Sequence, residues 1–190
     1  MVPPSAAEII VCTPLFGQNQ RRLVGCGKLH ERTRGGCLCG AIQYLVAAEP
    51  IMSGACHCRD CQHVSGGAPA CAMLFAQAAF KLTKETPCAF WSVSARGHRV
   101  ARSFCEVCGT PLFAENADHP EFIAIKVGSL SDPSVFKPAG HIWTRSAQSW
   151  HAIDPALPRW EQDPVDPAQW RRIGNSPWTF GPWVASAGSS

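Results

Sequence analysis

Charge is scarce in this chain. Charged residues make up 16% of the 190 residues against 46% hydrophobic, which excludes a disordered or fibrous chain and indicates a globular protein. Neither sign dominates. The 17 basic and 14 acidic residues leave a net charge of +3, and Lys and Arg are too scattered to form the clustered basic stripe of a nucleic-acid surface. Long apolar runs are also missing. Stretches such as Ala68 to Ala76 fall well short of the roughly 20 residues that cross a bilayer, so no membrane span is expected. Met1 to Val11 lacks the basic start and sustained apolar run of a secretory signal, and a cytoplasmic location is expected. No internal repeat is evident, and no stretch favours a long helix. Gly66-Gly67, Pro87, Gly97, Gly109, Pro111, Pro133 and Pro138 punctuate the sequence too often.

What is present between those breaks is a set of short apolar or alternating segments: Ala41 to Ala47, Ala70 to Phe75, Ala89 to Val93, Arg99 to Phe104, Phe122 to Val127 and His141 to Thr144. These predict strands and a mainly β fold. Short helices or turns are expected only after Cys58 and near Asp132 to Val135. The length suits one core. Residues 1–34 read as an irregular extension, with Pro3, Pro4, Pro14 and Gly17. Residues 35–160 read as the compact region, and 161–190 as a tail rich in Pro and Trp. Trp170, Trp178 and Trp183 in that tail are expected to dock on the domain or on a partner.

The chain is rich in cysteine, with 11, and seven of them fall in three clusters: Cys37-Leu38-Cys39, Cys56-His57-Cys58-Arg59-Asp60-Cys61 and Cys105-Glu106-Val107-Cys108. In a reducing cytosol, such pairs more often bind metal or do redox chemistry than form disulfides. A separation of one or two residues closes an awkward disulfide loop, yet lets a bent backbone present two thiolates to one tetrahedral ion. Seven is four plus three, which predicts one closed zinc site and one open one. Gly36 and Gly40 flank the first pair and Gly109 follows the last, as expected of metal knuckles whose backbone must turn sharply. Cys37, Cys39, Cys105 and Cys108 together make a saturated structural site.

Cys56, Cys58 and Cys61 supply three thiolates. Zinc held by three protein ligands keeps a position for water or substrate, and a soft donor set favours a thiol there. His57, Asp60 and His63 are candidates for proton transfer or for supporting the ligands. A second reading closes this site with His57 or His63 as a fourth ligand. A redox role for Cys58 and Cys61 is disfavoured because no thioredoxin-like βαβ pattern accompanies them.

The order Gly36-Cys37-Leu38-Cys39-Gly40, then Cys56-His57-Cys58-Arg59-Asp60-Cys61 with Ser65-Gly66, then Phe104-Cys105-Glu106-Val107-Cys108-Gly109-Thr110-Pro111-Leu112 resembles the glutathione-dependent formaldehyde-activating enzyme (GFA) family. His141-Ile142-Trp143 and the stretch from Ser149-Trp150 to Leu157-Pro158 are similar to its closing segment. The resemblance covers about residues 35 to 160. It implies an Mss-four-like fold of small antiparallel sheets organised around zinc-binding cysteine knuckles. It also implies two zinc ions, structural at Cys37, Cys39, Cys105 and Cys108 and catalytic at Cys56, Cys58 and Cys61, the latter open to partial occupancy. The implied activity is that of a carbon-sulfur lyase that joins glutathione, or another small thiol, to formaldehyde or another aldehyde. The alternative from a different class is a non-catalytic, zinc-stabilised binding module.

The remaining candidates have plainer readings. Cys71 and Cys88 are expected as small buried apolar residues, and Cys12 and Cys26 as exposed ones. His30, His98, His119, His141 and His151 are expected at the surface or hydrogen-bonded in the core, with His141 able to reach a pocket. Trp143 and Trp150 are expected in the core or a pocket wall. Arg59 and Arg145 could meet a substrate carboxylate, with solvated surface charge as the plainer role.

Overall fold

The computed structural model describes residues 33–164. These form two compact units, one over 33–49 and 75–135 and the other over 50–74 and 136–164. Cys12, Cys26, His30, Trp170, Trp178 and Trp183 lie outside the described residues.

The first unit contains a three-stranded sheet in the order β1-β2-β5, from β1 (Thr33–Gly36), β2 (Gln43–Val46) and β5 (Phe80–Leu82). Both pairings are antiparallel. Gly35 in β1 cannot be larger, because a Cβ there would lie 2.2 Å from the Tyr44 hydroxyl and 2.4 Å from the Ser129 carbonyl oxygen. Four further strands run as an antiparallel meander: β6 (Cys88–Val93), β7 (Arg99–Phe104), β8 (Pro111–Asn116) and β9 (His119–Lys126). Their side chains alternate. Ala101 and Ser103 of β7, and Ile123 and Ile125 of β9, point inward while their neighbours are more exposed. With Val46, Phe75, Ala89, Leu112 and Phe113, the residues Ala101, Ile123 and Ile125 make a buried apolar core, against which Phe80 packs edge-on to Phe113 at 5.0 Å.

Tyr44 is buried in this unit, and its hydroxyl lies 2.7 Å from Ser129 Oγ. The Ser129 hydroxyl has the carbonyls of Lys126 and Leu112 to donate to, so the tyrosine is the donor in the shared bond. Burial pushes the Tyr44 phenol up to about 12. The neutral phenol is therefore favoured on folding. Its contribution is fully present below the unfolded value near 10 and is lost as pH rises towards 12. Tyr44→Phe is expected to cost about 1 kcal/mol at pH 9. That deficit should narrow by about 1 kcal/mol at pH 11. Urea unfolding of both proteins at the two pH values checks the shift.

The second unit is built on β3 (Met52–Cys56), which pairs antiparallel with β4 (Ala70–Ala76) and parallel with β10 (His141–Ile142). The parallel pair is the one departure from the antiparallel arrangement among these pairings. Gly54 permits it, because a Cβ there would come within 2.9 Å of the Gly140 carbonyl oxygen. Between β3 and β4 lies the one α-helix of the described residues, α1 (Arg59–Val64). Pro133–Val135 forms a short 3-10 turn.

The described residues are thus mainly β with short helical turns, as the sequence predicts. Four strands escaped that prediction: β1, β3, β5 and β8. Cys88 also differs from its expected role as a buried thiol. It is buried but disulfide-bonded, a pairing in space that cysteine spacing does not reveal. Cys71 is half-buried in β4. No helix of the described residues is long and apolar enough to cross a membrane.

Candidate metal centre and active site

In the first unit, two tight turns bring Cys37, Cys39, Cys105 and Cys108 together with all four sulfurs within 4.8 Å of one another. One turn joins β1 to β2 and the other joins β7 to β8. In the first, Cys37 N–H donates to the Ile42 carbonyl and Gly40 N–H to the Cys37 carbonyl; in the second, Cys105 N–H donates to Thr110 and Gly109 N–H to Cys105. Gly40 and Gly109 have φ of 74° and 72°, a left-handed conformation that glycine adopts without Cβ strain. The turns are also tied to each other, since Leu38 N–H donates to Thr110 Oγ1 at 3.1 Å.

The sulfurs are supplied with hydrogen bonds that favour thiolate. Ile42 N–H donates to Cys37 Sγ at 3.2 Å, and Thr110 Oγ1 lies 3.1 Å from Cys108 Sγ. Burial opposes ionisation of Cys37, but the Ile42 amide and the Cys39 and Cys105 thiols outweigh it and lower its value. The Thr110 hydroxyl and backbone bring Cys108 down to about 5. The Ala41 amide favours the Cys39 thiolate, yet the three neighbouring cysteines push it up to about 12. Four crowded sulfurs cannot all be anionic unless a cation sits among them, so the donor set fits a divalent metal.

The middle cluster belongs to the second unit. Cys56 ends β3, Cys58 is the N-cap of α1, and Cys61 stands in its first turn; their sulfurs also lie within 4.8 Å of one another. The helix begins here because Cys58 Sγ accepts from Cys61 N–H at 3.4 Å, the role that Ser or Asp commonly fills. Cys58, then Cys61 and burial push Cys56 far above the ordinary thiol range. Here too a cation among the sulfurs would relieve the repulsion. Among the described residues no histidine, carboxylate or further cysteine joins these three as a possible ligand.

His57, between two of these cysteines, is fully buried. Its Nδ1 lies 2.9 Å from His151 Nδ1 and its Nε2 lies 3.0 Å from His141 Nδ1. Both nitrogens are therefore engaged away from the sulfurs, which argues against His57 as a fourth ligand. Burial, with the two other imidazoles, lowers His57 to about 4; burial lowers His141 as well, against the pull of Asp154. His63 is exposed in the last turn of α1, and Asp60 is half-buried in the first.

Gln62, which no sequence motif singles out, is central to the site. It is buried, and its Nε2 donates to the His57 carbonyl at 2.6 Å and to the Ser146 carbonyl at 2.8 Å. Its Oε1 accepts from Gln148 and from Arg59, so Arg59 is engaged within the site's scaffold. Arg145 stacks over Trp143 at 4.9 Å. Trp143 is buried, whereas Trp150 is 65% exposed and meets the His151 ring edge-on at 4.5 Å. The available signals for Gln62 were its place one residue after Cys61 and, for a polar side chain, its position on the inner face of a short helix.

No curated protein matches this chain. A solved structure of a Rhodobacter sphaeroides protein is similar with a TM-score of 0.43 and 16% identity, over 67% of this chain and 99% of that one. The family description "Glutathione-dependent formaldehyde-activating enzyme" matches residues 32–146. That match takes in both cysteine sites and more than half of the sequence, and the chain belongs to the glutathione-dependent formaldehyde-activating enzyme family.

Proposed function

We propose that this protein is a zinc-dependent enzyme of the carbon-sulfur lyase type, acting on the adduct of a small thiol and an aldehyde, with glutathione and formaldehyde as the first pair to test. The observation that carries this reading is the three-sulfur set at Cys56, Cys58 and Cys61, with no further protein ligand joining it among the described residues. Zinc bound there would favour the thiolate form of an incoming thiol and hold its sulfur. In the synthetic direction the thiolate sulfur forms a bond to the carbonyl carbon, and the carbonyl oxygen takes up a proton. The reverse reaction breaks the carbon-sulfur bond and returns the proton.

The chain's own residues have separable tasks in this reading. Cys37, Cys39, Cys105 and Cys108 hold a structural zinc. Cys56, Cys58 and Cys61 hold the catalytic one, and Gln62 fixes the backbone between them through the His57 carbonyl. His57 orients the site and is not the proton carrier, because both its nitrogens are committed to other histidines. Asp60, half-buried in the first turn of α1, and His63, exposed in its last turn, are the remaining candidates for proton transfer. A cytoplasmic location suits the seven clustered free thiols and a cytosolic thiol substrate, with the Cys88 disulfide as the exception.

Exchange nuclear magnetic resonance of formaldehyde and glutathione at equilibrium tests the proposal. The zinc-loaded protein should speed interconversion of the free and adduct forms. No acceleration with glutathione or any other small thiol would favour a zinc-stabilised binding module.

A further inference from the structure

The histidines at 57, 141 and 151 form a chain whose two ends independently fix its direction. At one end the Asp154 amide lies 3.3 Å from His141 Nε2. An amide N–H can only donate, so that nitrogen carries no proton and His141 Nδ1 does. His141 Nδ1–H then donates to His57 Nε2, which leaves the His57 proton on Nδ1, facing His151 Nδ1. At the other end the Gly67 carbonyl lies 3.0 Å from His151 Nε2, and the Gln148 amide lies 3.3 Å from His151 Nδ1. A carbonyl can only accept and an amide can only donate. His151 therefore bears its proton on Nε2 and accepts on Nδ1, as the first end requires. Each ring has one proton, and every ring nitrogen has a partner.

The chain converges on the one residue between Cys56 and Cys58. His57 N–H donates to the Ile142 carbonyl at 2.9 Å, and its carbonyl accepts from Gln62. With both ring nitrogens engaged, every polar atom of His57 is held. The peptide planes on either side of it carry the first two sulfurs of the middle site, so fixing His57 fixes the angle between them.

We propose that His141 and His151 are positioning residues, which act through a one-directional hydrogen-bond chain on His57 to set the geometry of the Cys56–Cys58 ligand pair. The proposal rests on the reading of these cysteines as metal ligands, but not on the reaction assigned to them. His141 contributes a donor at its δ position to His57 and an acceptor at its ε position to Asp154. Asparagine can reproduce the first group and glutamine the second. His141→Asn should accordingly preserve the link to His57, and His141→Gln should break it.

The test uses the full chain with cadmium in place of zinc, so the four-cysteine site serves as an internal control. Long-range nitrogen-proton correlation on histidine-labelled protein at neutral pH should show Nδ1–H tautomers for His57 and His141 and an Nε2–H tautomer for His151. Any of the three in the opposite tautomer, or doubly protonated, would overturn the proposal. In cadmium-113 spectra, His141→Gln should move the resonance of the middle site and weaken its cadmium affinity about 10-fold or more, with the outer resonance unmoved. His141→Asn should stay close to the parent. Equal effects of the two substitutions, or none, would mean that the ring only fills space. The tautomer pattern in the unsubstituted protein decides the matter if either variant fails to fold.

Discussion

Cys105→Ser protein is expected to bind one metal ion fewer and to lose the folded state of the first unit at room temperature. Cys105 is almost fully buried, and its sulfur lies 3.7 Å from Cys39 Sγ, a residue 66 positions earlier. A metal held across that separation closes a long loop, a constraint that chain-entropy reasoning values at about 4 kcal/mol for a covalent cross-link. Losing the ion costs more than the constraint. Structural zinc contributes on the order of 10 kcal/mol of binding free energy to folding, comparable with the whole net stability of about 5–15 kcal/mol for an ordinary domain. The serine hydroxyl does not replace a thiolate, and three crowded thiols remain without their cation. Circular dichroism with metal analysis checks this. A parent-like melting curve with one ion fewer would show that the fold does not depend on the site. Treatment with a strong chelator should reproduce the unfolding in the parent protein.

Cys58→Ser should do the opposite, sparing the fold and removing the chemistry. Cys58 is the N-cap of α1 and accepts the Cys61 amide. Serine is among the best residues for that role, so helix and melting temperature should be retained. What serine cannot supply is the third sulfur ligand. The protein is expected to hold only its outer metal ion, and acceleration of thiol-aldehyde exchange should fall at least about 100-fold, equivalent to about 3 kcal/mol in the barrier. Exchange rates measured beside the melting curve separate the two effects. Undiminished acceleration in a folded Cys58→Ser protein would remove the middle cysteines from the reaction.

The contrast between these substitutions also marks what was legible in the sequence. Both cysteine sets could be read because their members lie one or two residues apart in sequence, and the glycines beside the outer set mark the backbone its turns need. Strands with clear alternation, such as β7, were equally legible. Others were hidden by residues whose reason lies elsewhere in the fold. Gly35 and Gly36 read as a boundary, yet Gly35 is in β1 because Tyr44 packs over it. Ser53-Gly54 masked β3, where Gly54 admits the close passage of Gly140. Pro111 concealed the start of β8. The histidine chain was least legible of all. Its members are separated by 84 and 94 positions, and no periodicity connects them. His57 stands out by its place between clustered cysteines, but His141 and His151 carry only the ordinary signature of core histidines.

In the proposed reaction the site at Cys56, Cys58 and Cys61 accepts a thiol as its remaining ligand. Cobalt substitution tests it most directly, because the absorption of cobalt thiolates reports both the number and the geometry of sulfur ligands. Saturating glutathione should change the spectrum of the cobalt-loaded parent, and should leave unchanged that of Cys58→Ser, in which only the saturated outer site remains. A parent spectrum indifferent to glutathione and to every other small thiol would contradict the account.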